Sequence, residues 1–292
     1  MKISQLKKII GTKTVLTDID FSLNENEIIG LIGRNGSGKT TLFRTIAGNY
    51  LPDAGEITIN GQNIARNSQL KSEIFYIDEL DNFLKYYSFQ AINEFYRAAY
   101  PKFDQDLYLQ LLKEHGLNSK MLYRKASKGI QGLYQMILAI ASNAKYLLLD
   151  EPFDGLDIIV RKKVIGLLLT HLTTNKRCAL IASHNLQELE GLIDRALLLK
   201  GQTITKDYTL ENMRENARKI QLVFRAKQVP PIIKENSKLI TIQGRVIVAV
   251  FENYTAELAA IIKSYDPLVF EELPLSLEDL FEANLKNEQL LA

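Results

Sequence analysis

The stretch "GRNGSGKT", residues 33–40, decides the fold of this chain. It fits the pattern G-x-x-x-x-G-K-[ST], follows an apolar run and precedes a predicted helix. In such a loop, successive backbone N–H groups curl around phosphate oxygens, and the helix N-terminus adds partial positive charge. Lys39 can reach the β and γ phosphates, and the Thr40 hydroxyl can bind Mg²⁺. The stretch predicts a nucleoside triphosphate site; the alternative is a glycine-rich turn without a ligand.

Strand patterns alternate with helix patterns on both sides of this loop. "IIGLIG", "YLLLD", "RCALIAS" and "RALLLK" read as buried strands, and a helical insertion runs from about residue 86 to 142. Such alternation predicts an α/β fold with a mostly parallel sheet. After about residue 205 the pattern changes to short strands, two of them a hairpin, with a few helices. We therefore expect an α/β domain over 1–204 and a small α+β domain over 205–292.

The composition excludes several classes of protein. The 292 residues carry a formal net charge of +2, which is too balanced to indicate a nucleic-acid partner. A single cysteine, Cys178, precludes an internal disulfide and favours a reducing compartment. The start of the chain lacks a signal-like apolar core, and no run approaches the ~18 apolar residues of a membrane helix. We expect a cytoplasmic protein whose membrane role, if any, comes through a partner.

The run "YLLLDE", residues 146–151, places two acids at the end of an apolar strand. Asp150 can hold Mg²⁺ through water, and Glu151 can orient or deprotonate an attacking water. By itself, such a pair often only begins a solvated loop. His184 follows another apolar strand in the same way, whereas His115 and His171 fall on predicted helix surfaces and are expected to be structural.

Together with "FDGLD" at 153–157 and "KASKGI" at 125–130, these motifs resemble the ATP-binding subunit of ABC transporters over about residues 2–204. "GRNGSGKT" resembles Walker A, "LLLDE" resembles Walker B, and "GLD" resembles the D-loop. The resemblance implies a P-loop ATPase of the ABC type with ATP and Mg²⁺ as ligands. It gives Glu151 and His184 catalytic roles, and it assigns the nucleotide to the following residues: Asn35, Gly36, Ser37, Gly38, Lys39, Thr40, Thr41 and Asp157.

"ASKGI" is similar to the family's Leu-Ser-Gly-Gly-Gln signature. The resemblance implies that two subunits pack head to tail, so that Ser127 and Gly129 touch the γ-phosphate held by the partner's Walker A. Ser127 is also a plausible N-cap for the apolar helix that follows it. Both roles are compatible.

The sequence departs from the family pattern at three places. The signature has Ala126, Lys128 and Ile130 at its other positions, which predicts weaker contacts in a closed dimer. Ile10 stands where the family has an aromatic residue on adenine, and an aliphatic side chain lacks the stacking energy of about 0.5–1.5 kcal/mol. Glu79 stands where the family has the Q-loop glutamine; it is either an Mg²⁺ ligand or only a solvated or permease-contacting residue.

The resemblance implies an ATPase that powers a separate membrane permease, in the direction of export. Its partners are the permease and a second ATPase subunit, either identical or different, and it lies on the inner face of the membrane. The alternatives are a soluble ABC ATPase outside transport and a nucleotide-dependent regulator without turnover. One phosphate loop, one cysteine and no sustained heptads favour transport, and Glu151 disfavours the regulator.

Overall fold

A computed structural model describes residues 1–78, 82–174, 176–225 and 228–286. The chain divides into two compact units. The first comprises Met1–His184 and Arg195–Asp207, and the second comprises Asn185–Asp194 and Tyr208–Ala292. The segment 185–194, which the sequence pattern assigns to the α/β domain, is thus part of the second unit.

Short 3₁₀ helices lie at Ser68–Glu73, Phe83–Tyr86 and Tyr123–Lys125. The strands and α-helices are, in chain order: β1 (Lys2–Ile10), β2 (Lys13–Ser22), β3 (Ile28–Ile32), α1 (Lys39–Ile46), β4 (Ala54–Ile59), β5 (Gln62–Asn63), β6 (Ile74–Tyr76), α2 (Phe89–Ala99), α3 (Gln105–Glu114), α4 (Lys128–Ala141), β7 (Tyr146–Asp150), α5 (Ile158–Thr174), β8 (Cys178–Ala182), α6 (Leu186–Glu190), β9 (Arg195–Lys200), β10 (Thr203–Thr209), α7 (Leu210–Asn216), β11 (Arg218–Val223), α8 (Pro231–Asn236), β12 (Leu239–Gln243), β13 (Val246–Phe251), α9 (Ala256–Ser264), β14 (Val269–Leu273) and α10 (Leu277–Lys286).

The first unit is built on a six-stranded sheet in the order β10-β9-β3-β8-β7-β6. β3 pairs in parallel with β8 and β9, β8 with β7, and β7 with β6. Every residue of β3 and β8 is buried. Strands buried on both faces are continuous apolar runs, as the sequence shows here. The predicted α/β fold with a mostly parallel sheet is confirmed.

A second sheet of the first unit, in the order β2-β1-β4-β5, is antiparallel, and the sequence analysis missed its strand β1. Its buried residues Ile3 and Leu6 are three apart instead of two. Gln5 lies between them with φ of 47°, where the register shifts, and its N–H donates to Asp20 at 3.0 Å. This bulge breaks the period-two pattern by which a strand is recognised.

The predicted helical insertion contains α2, α3 and α4, which pack around buried aromatic rings. Phe89 and Tyr134 stack with 3.8 Å between ring centroids. The hydroxyls of Tyr108 and Tyr134 both donate to the carbonyl of Phe89, at 3.1 and 2.9 Å. Burial of these polar groups is therefore matched by hydrogen bonds, which gives the helices a defined packing.

The second unit has an antiparallel sheet in the order β12-β13-β11-β14, and the predicted hairpin is β12–β13. The run β11-α8-β12-β13-α9-β14 in this strand order is the ferredoxin-like arrangement. Ile220, Leu222, Ile247 and Phe251 are among the buried residues of its core. In this unit α6 packs against α10.

No helix in the described ranges combines the length and the apolar character that crossing a bilayer requires.

Candidate functional site

The phosphate loop connects the central strand β3 to α1. Gly36 and Gly38 have φ of 79° and 107°, a region that favours glycine and turns the backbone between strand and helix. A Cβ on Gly33 would lie 2.6 Å from the Ser37 hydroxyl, so the loop closes on itself tightly there. Helix α1 begins at Lys39 without a side-chain cap and without an acid in its first turn. Its first N–H groups are arranged to receive an anion.

Lys39 is held inside this loop. The residue as a whole is only 8% exposed. Its ammonium group donates hydrogen bonds to the carbonyl of Gly33 at 2.7 Å and to the carbonyl of Arg34 at 3.4 Å. Burial lowers the pKa of Lys39, and the charges of Glu151 and Asp150 oppose that effect. The two acids therefore lie within electrostatic reach of the loop lysine.

Asp150 is the last residue of β7, which pairs with β8, and β8 in turn pairs with β3. The Asp150 carboxylate forms a hydrogen bond with the Thr40 hydroxyl. Burial raises the pKa of Asp150 to about 6, mainly by desolvation, and the Thr40 hydrogen bond opposes the shift. The carboxyl ends of neighbouring parallel strands meet at one edge of a sheet, which is the usual position of a ligand site in such folds. The structure thus joins Lys39, Thr40 and Asp150 at one place.

The donors at this place fit Mg²⁺. In the part of the chain that the structure describes, no three His, Cys, Asp or Glu side chains gather as a ready-made metal site. Thr40 and Asp150 together offer one hydroxyl and one carboxylate in contact with each other. Mg²⁺ is usually held by one or two such oxygens plus substrate phosphates and waters, so a complete protein cage is not required.

Glu151 follows with an unusual backbone. Its φ is 47°, in the left-handed region, and its N–H donates to the carbonyl of Ala182 on β8 at 2.9 Å. The carboxylate accepts from the backbone N–H of His184 at 3.2 Å and meets the His184 Nδ1 at 2.9 Å. A left-handed conformation is costly for a glutamate, and such outliers concentrate at functional sites. The structure brings the two predicted catalytic residues into direct contact.

Ser127 and Gly129 lie at the start of α4. Ser127 is the N-cap, and its hydroxyl oxygen accepts from the N–H of Ile130 at 3.3 Å. A Cβ on Gly129 would be 3.3 Å from Val160 on α5, so a larger residue would crowd that helix. Asp157 caps α5 in turn, accepting from the N–H groups of Ile159 and Val160 at 2.9 Å each. The capping role expected of Ser127 is present.

The remaining predicted residues are less constrained. Asn35 and Gly36 are exposed in the loop, while Ser37, Gly38, Thr40 and Thr41 are partly buried. Ile10 ends β1 and leaves 42% of its side chain exposed. Glu79 lies outside the described residues, so its predicted metal contact stays a prediction.

An ion pair that no sequence motif indicates lies next to the site. Arg44 of α1 is bonded to the carboxylate of Asp78, which also accepts from the Tyr76 hydroxyl at 3.1 Å. Asp78 is 9% exposed, and buried carboxylates without a partner are rare. Arg44 and Asp78 are 34 positions apart and belong to no motif, so their contact is seen only in the folded structure.

The comparisons with known proteins agree with this geometry. A family model described as "ABC transporter" matches residues 16–154. "ABC transporter ATP-binding protein YtrB" of Bacillus subtilis (strain 168) is 30% identical over 283 residues, which cover 97% of each chain. "Lipopolysaccharide export system ATP-binding protein LptB" of Haemophilus influenzae is 28% identical and covers 76% of this chain and 95% of its own.

An import protein is similar to a comparable degree. "Nickel import system ATP-binding protein NikE" of Staphylococcus aureus is 28% identical and covers 68% of this chain and 85% of its own. Among solved structures, "Structure of ATP binding subunit of ABC transporter" has a TM-score of 0.66 and 24% identity, and covers 73% of this chain and 91% of that one. At 24% identity this structural match supports the fold assignment alone.

Proposed function

This chain belongs to the ATP-binding subunits of ABC transporters and is an ATPase, and we propose that it works as a head-to-tail dimer that powers a separate permease. The observation that carries the proposed chemistry is the contact of Glu151 with His184, beside the group formed by Lys39, Thr40 and Asp150. The family shows ATP binding, whereas the roles of individual residues are our proposal.

ATP binds with its phosphates on the loop and the first turn of α1. Lys39 exchanges its hydrogen bonds to the Gly33 and Arg34 carbonyls for the β and γ phosphate oxygens, which restores a charge partner to a buried ammonium. Asn35 and the N–H groups from Gly36 to Thr41 surround the same phosphates. Thr40 and Asp150 would hold Mg²⁺, which would supply positive charge against the phosphate oxygens as the terminal bond breaks.

Glu151 accepts a proton from the water that attacks the γ-phosphorus, and the bond to the β-phosphate oxygen of ADP breaks. Its 2.9 Å contact with His184 keeps the carboxylate oriented before nucleotide arrives. His184, which is largely exposed, is positioned to move towards the γ-phosphate when Glu151 turns to the water.

The dimer proposal rests on Ser127 and on the surface around it. In the capping bond the Ser127 oxygen accepts, so its proton is still available to donate to a partner's γ-phosphate. Next to this cap, Ile158 and Ile159 are 69% and 70% exposed at the start of α5. Two large apolar side chains in contact with water, beside an anion-binding helix end, are suited to burial against a second subunit.

A groove of about 900 Å³ between the parallel sheet and α2 is the proposed docking place for the permease. Phe83 and Phe95, which pack against each other at 5.0 Å between centroids, are 42% and 53% exposed on its wall. Exposed aromatic residues beside a concave surface are typical of protein interfaces. We therefore place the protein on the cytoplasmic face of the membrane, held there by its permease.

We propose export as the direction of transport. The support is the resemblance of the sequence motifs to the family, from which export is expected, while the named relatives include both an export and an import system. Cells that carry Glu151→Gln should retain internally a compound that wild-type cells release. Loss of a compound from the cell interior would instead indicate import.

The decisive experiment for the ATPase cycle is Glu151→Gln, studied by phosphate release and by gel filtration with ATP and Mg²⁺. Glutamine keeps the shape of the side chain but cannot take a proton, so we expect ATP to bind, turnover to fall by about two orders of magnitude or more, and a dimer to accumulate. Glu27→Gln is a matched control. A variant that hydrolyses ATP normally would exclude Glu151 as the base, and wild-type chains that never self-associate would favour a second, different ATPase subunit.

A further inference from the structure

The sheet of the second unit has two outer strands that differ in charge. In the order β12-β13-β11-β14, β12 and β14 each have a neighbour on one side only among the described strands. β14 carries two adjacent, exposed acids, Glu271 and Glu272, and charged side chains commonly protect an edge strand from pairing with another chain. β12 reads "LITIQ" over Leu239–Gln243 and carries no charge. The outer edge of β12 therefore lacks the protection that β14 has.

The second half of β12 is open to solvent. Leu239 at the start of the strand is buried, whereas residues 241–243 are exposed, and Ile242 is 57% exposed. Because side chains alternate along a strand, Ile240 and Ile242 lie on the same face. Ile240 packs against the core of this unit, so Ile242 extends an apolar row from the core into water. A large apolar side chain at an uncharged strand edge is suited to burial by an added strand.

Two copies of β12 match each other in an antiparallel arrangement. Pairing centred on Thr241 places the two Thr241 residues directly opposite each other, where their hydroxyls can form a hydrogen bond. Ile240 of each copy then lies opposite Ile242 of the other. Both exposed Ile242 side chains would join one apolar row that continues the core of each unit.

Charge favours this pairing over the corresponding pairing of β14. Two β14 strands centred on Glu271 would set two carboxylates directly opposite each other, which is destabilising. In the β12 pairing, Lys238, which precedes the strand, faces Gly244 of the other copy. Arg245, which follows Gly244 in the turn, faces Ser237. The β12 pairing therefore opposes no like charges.

We propose that β12 is a self-association edge, through which the second units of two chains pair antiparallel and join two four-stranded sheets into one of eight strands. The contact has two-fold symmetry, because each strand offers the same residues to the other. A pair of five-residue strands falls short of the roughly 1,200–2,000 Å² that stable interfaces bury, so the association is weak and depends on concentration. It requires no nucleotide and does not rest on the head-to-tail dimer proposed above.

The first test is sedimentation of the nucleotide-free full chain, for which we expect a dimer with a Kd of about 10–300 μM. Thr241→Lys places two cations directly opposite each other and should raise this Kd about tenfold or more, and Thr241→Glu should act in the same way. An equal mixture of the two variants should associate at least as tightly as wild type, because opposite charges then face each other. Thr241 is exposed, so normal thermal midpoints and ATP affinities should show that both variants are folded.

Val269→Lys is the matched control, since it adds the same charge at an exposed position of the other outer strand. It should leave the dimer Kd within about twofold of wild type, because β14 takes no part in the proposed contact.

Thr241→Cys gives an independent measurement. Residues directly opposite in an antiparallel pair have Cβ atoms about 4.5–5.5 Å apart, close to the separation that a disulfide spans. The single cysteine of the sequence, Cys178, is 1% exposed and should not react. Mild oxidation without nucleotide should link Thr241→Cys chains into dimers and leave Val269→Cys chains monomeric.

Three results would overturn the proposal. One is a nucleotide-free wild-type chain that stays monomeric up to about 0.5 mM, a concentration above the expected Kd. Another is equal association of Thr241→Lys and wild type. The third is loss of association in Val269→Lys alone, which would place the contact on β14. None of these results bears on ATP hydrolysis, which Glu151→Gln tests separately.

Discussion

At the scale of single residues, the fold buries charged groups in the nucleotide site, and their loss of solvation lowers the stability of the folded protein. Burial lowers the pKa of Lys39 and raises the pKa of Asp150 to about 6. Each group would be better solvated in the unfolded chain. Phosphate and metal would each supply a further charge partner, so ligand binding would relieve part of this desolvation cost.

Asp150→Asn should stabilise the nucleotide-free protein while it abolishes Mg²⁺-dependent turnover. A raised carboxyl pKa favours the protonated form in the folded state, so the stability contribution is full below about pH 4 and is lost as the pH rises through about 6. At pH 7.5 the neutral amide should raise the free energy of unfolding by about 1–3 kcal/mol. Urea unfolding at pH 5, 6 and 7.5 measures this.

Asp154→Asn, the same change at an exposed carboxylate of the neighbouring turn, is the control and should have little effect at any pH. An Asp150→Asn variant that is less stable than wild type at pH 7.5 would show that the Thr40 hydrogen bond outweighs desolvation.

Lys39→Ala should weaken ATP binding about a hundredfold, because it removes the buried cation of the loop. Titration with a fluorescent nucleotide at constant Mg²⁺ measures the affinity. Lys145→Ala, which removes a cation from another part of the unit, should bind ATP normally. Equal affinities for Lys39→Ala and wild type would contradict the phosphate-loop assignment.

Short motifs made most of the site predictable at this scale. Lys39 and Thr40 begin the helix after β3, and Asp150 ends β7. Only β8 separates these two parallel strands, so their carboxyl ends lie at the same edge of the sheet. The Arg44–Asp78 pair could not be predicted, since its partners are 34 residues apart and only packing makes them neighbours. The 2.9 Å contact between Glu151 and His184 likewise depends on how β7 and β8 align.

At the scale of elements, the start of α4 combines a structural and a functional role in one hydroxyl. Ser127→Asp should keep the cap, because a carboxylate accepts the Ile130 N–H as well as a hydroxyl does. It should also stop turnover, because it places a negative charge where the partner's γ-phosphate is proposed to bind. Circular dichroism and thermal unfolding measure the first effect, and phosphate release measures the second.

Ser127→Ala is the complementary variant: it should lower stability by about 1 kcal/mol through loss of the cap. Full ATPase activity in Ser127→Asp would mean that α4 meets no phosphate in the active state, and Ser127 would then be a cap only.

Element boundaries were predictable where the hydrophobic period was uninterrupted. β3, β7 and β8 are continuous apolar runs, and the structure has them where the sequence analysis expects them. β1 was missed because the bulge at Gln5 shifts its buried residues out of phase. Helix α6 is short and ends at Glu190, where Gly191 is the C-cap.

At the scale of the whole molecule, the division into units determines what a truncation does. A chain ending at Asp207 keeps every predicted nucleotide residue but also keeps α6, which has lost α10 as its packing partner. We expect ATP affinity within about threefold of the full chain. We also expect aggregation, since exposing Leu186 and Leu189 costs about 1.5–3 kcal/mol each.

Replacing both leucines by glutamine in the truncated chain should restore solubility, and light scattering alongside nucleotide titration tests this. A soluble, folded truncation that binds no ATP would refute the boundary. A change of pattern predicts a boundary near residue 204. It does not assign α6 to the second unit, because the packing partner of α6, α10, lies more than eighty residues later, as the Leu277–Glu190 hydrogen bond illustrates.

The strand order of the second unit also has a consequence for synthesis on the ribosome. In the order β12-β13-β11-β14, neither β11 with β12 nor β13 with β14 forms a neighbouring pair. A nascent chain that stops after β12 has therefore paired none of this sheet, and β11 gains its second neighbour only when Leu273 has been added. Helix α6, made long before, must wait longer still, because its packing partner α10 begins only at Leu277.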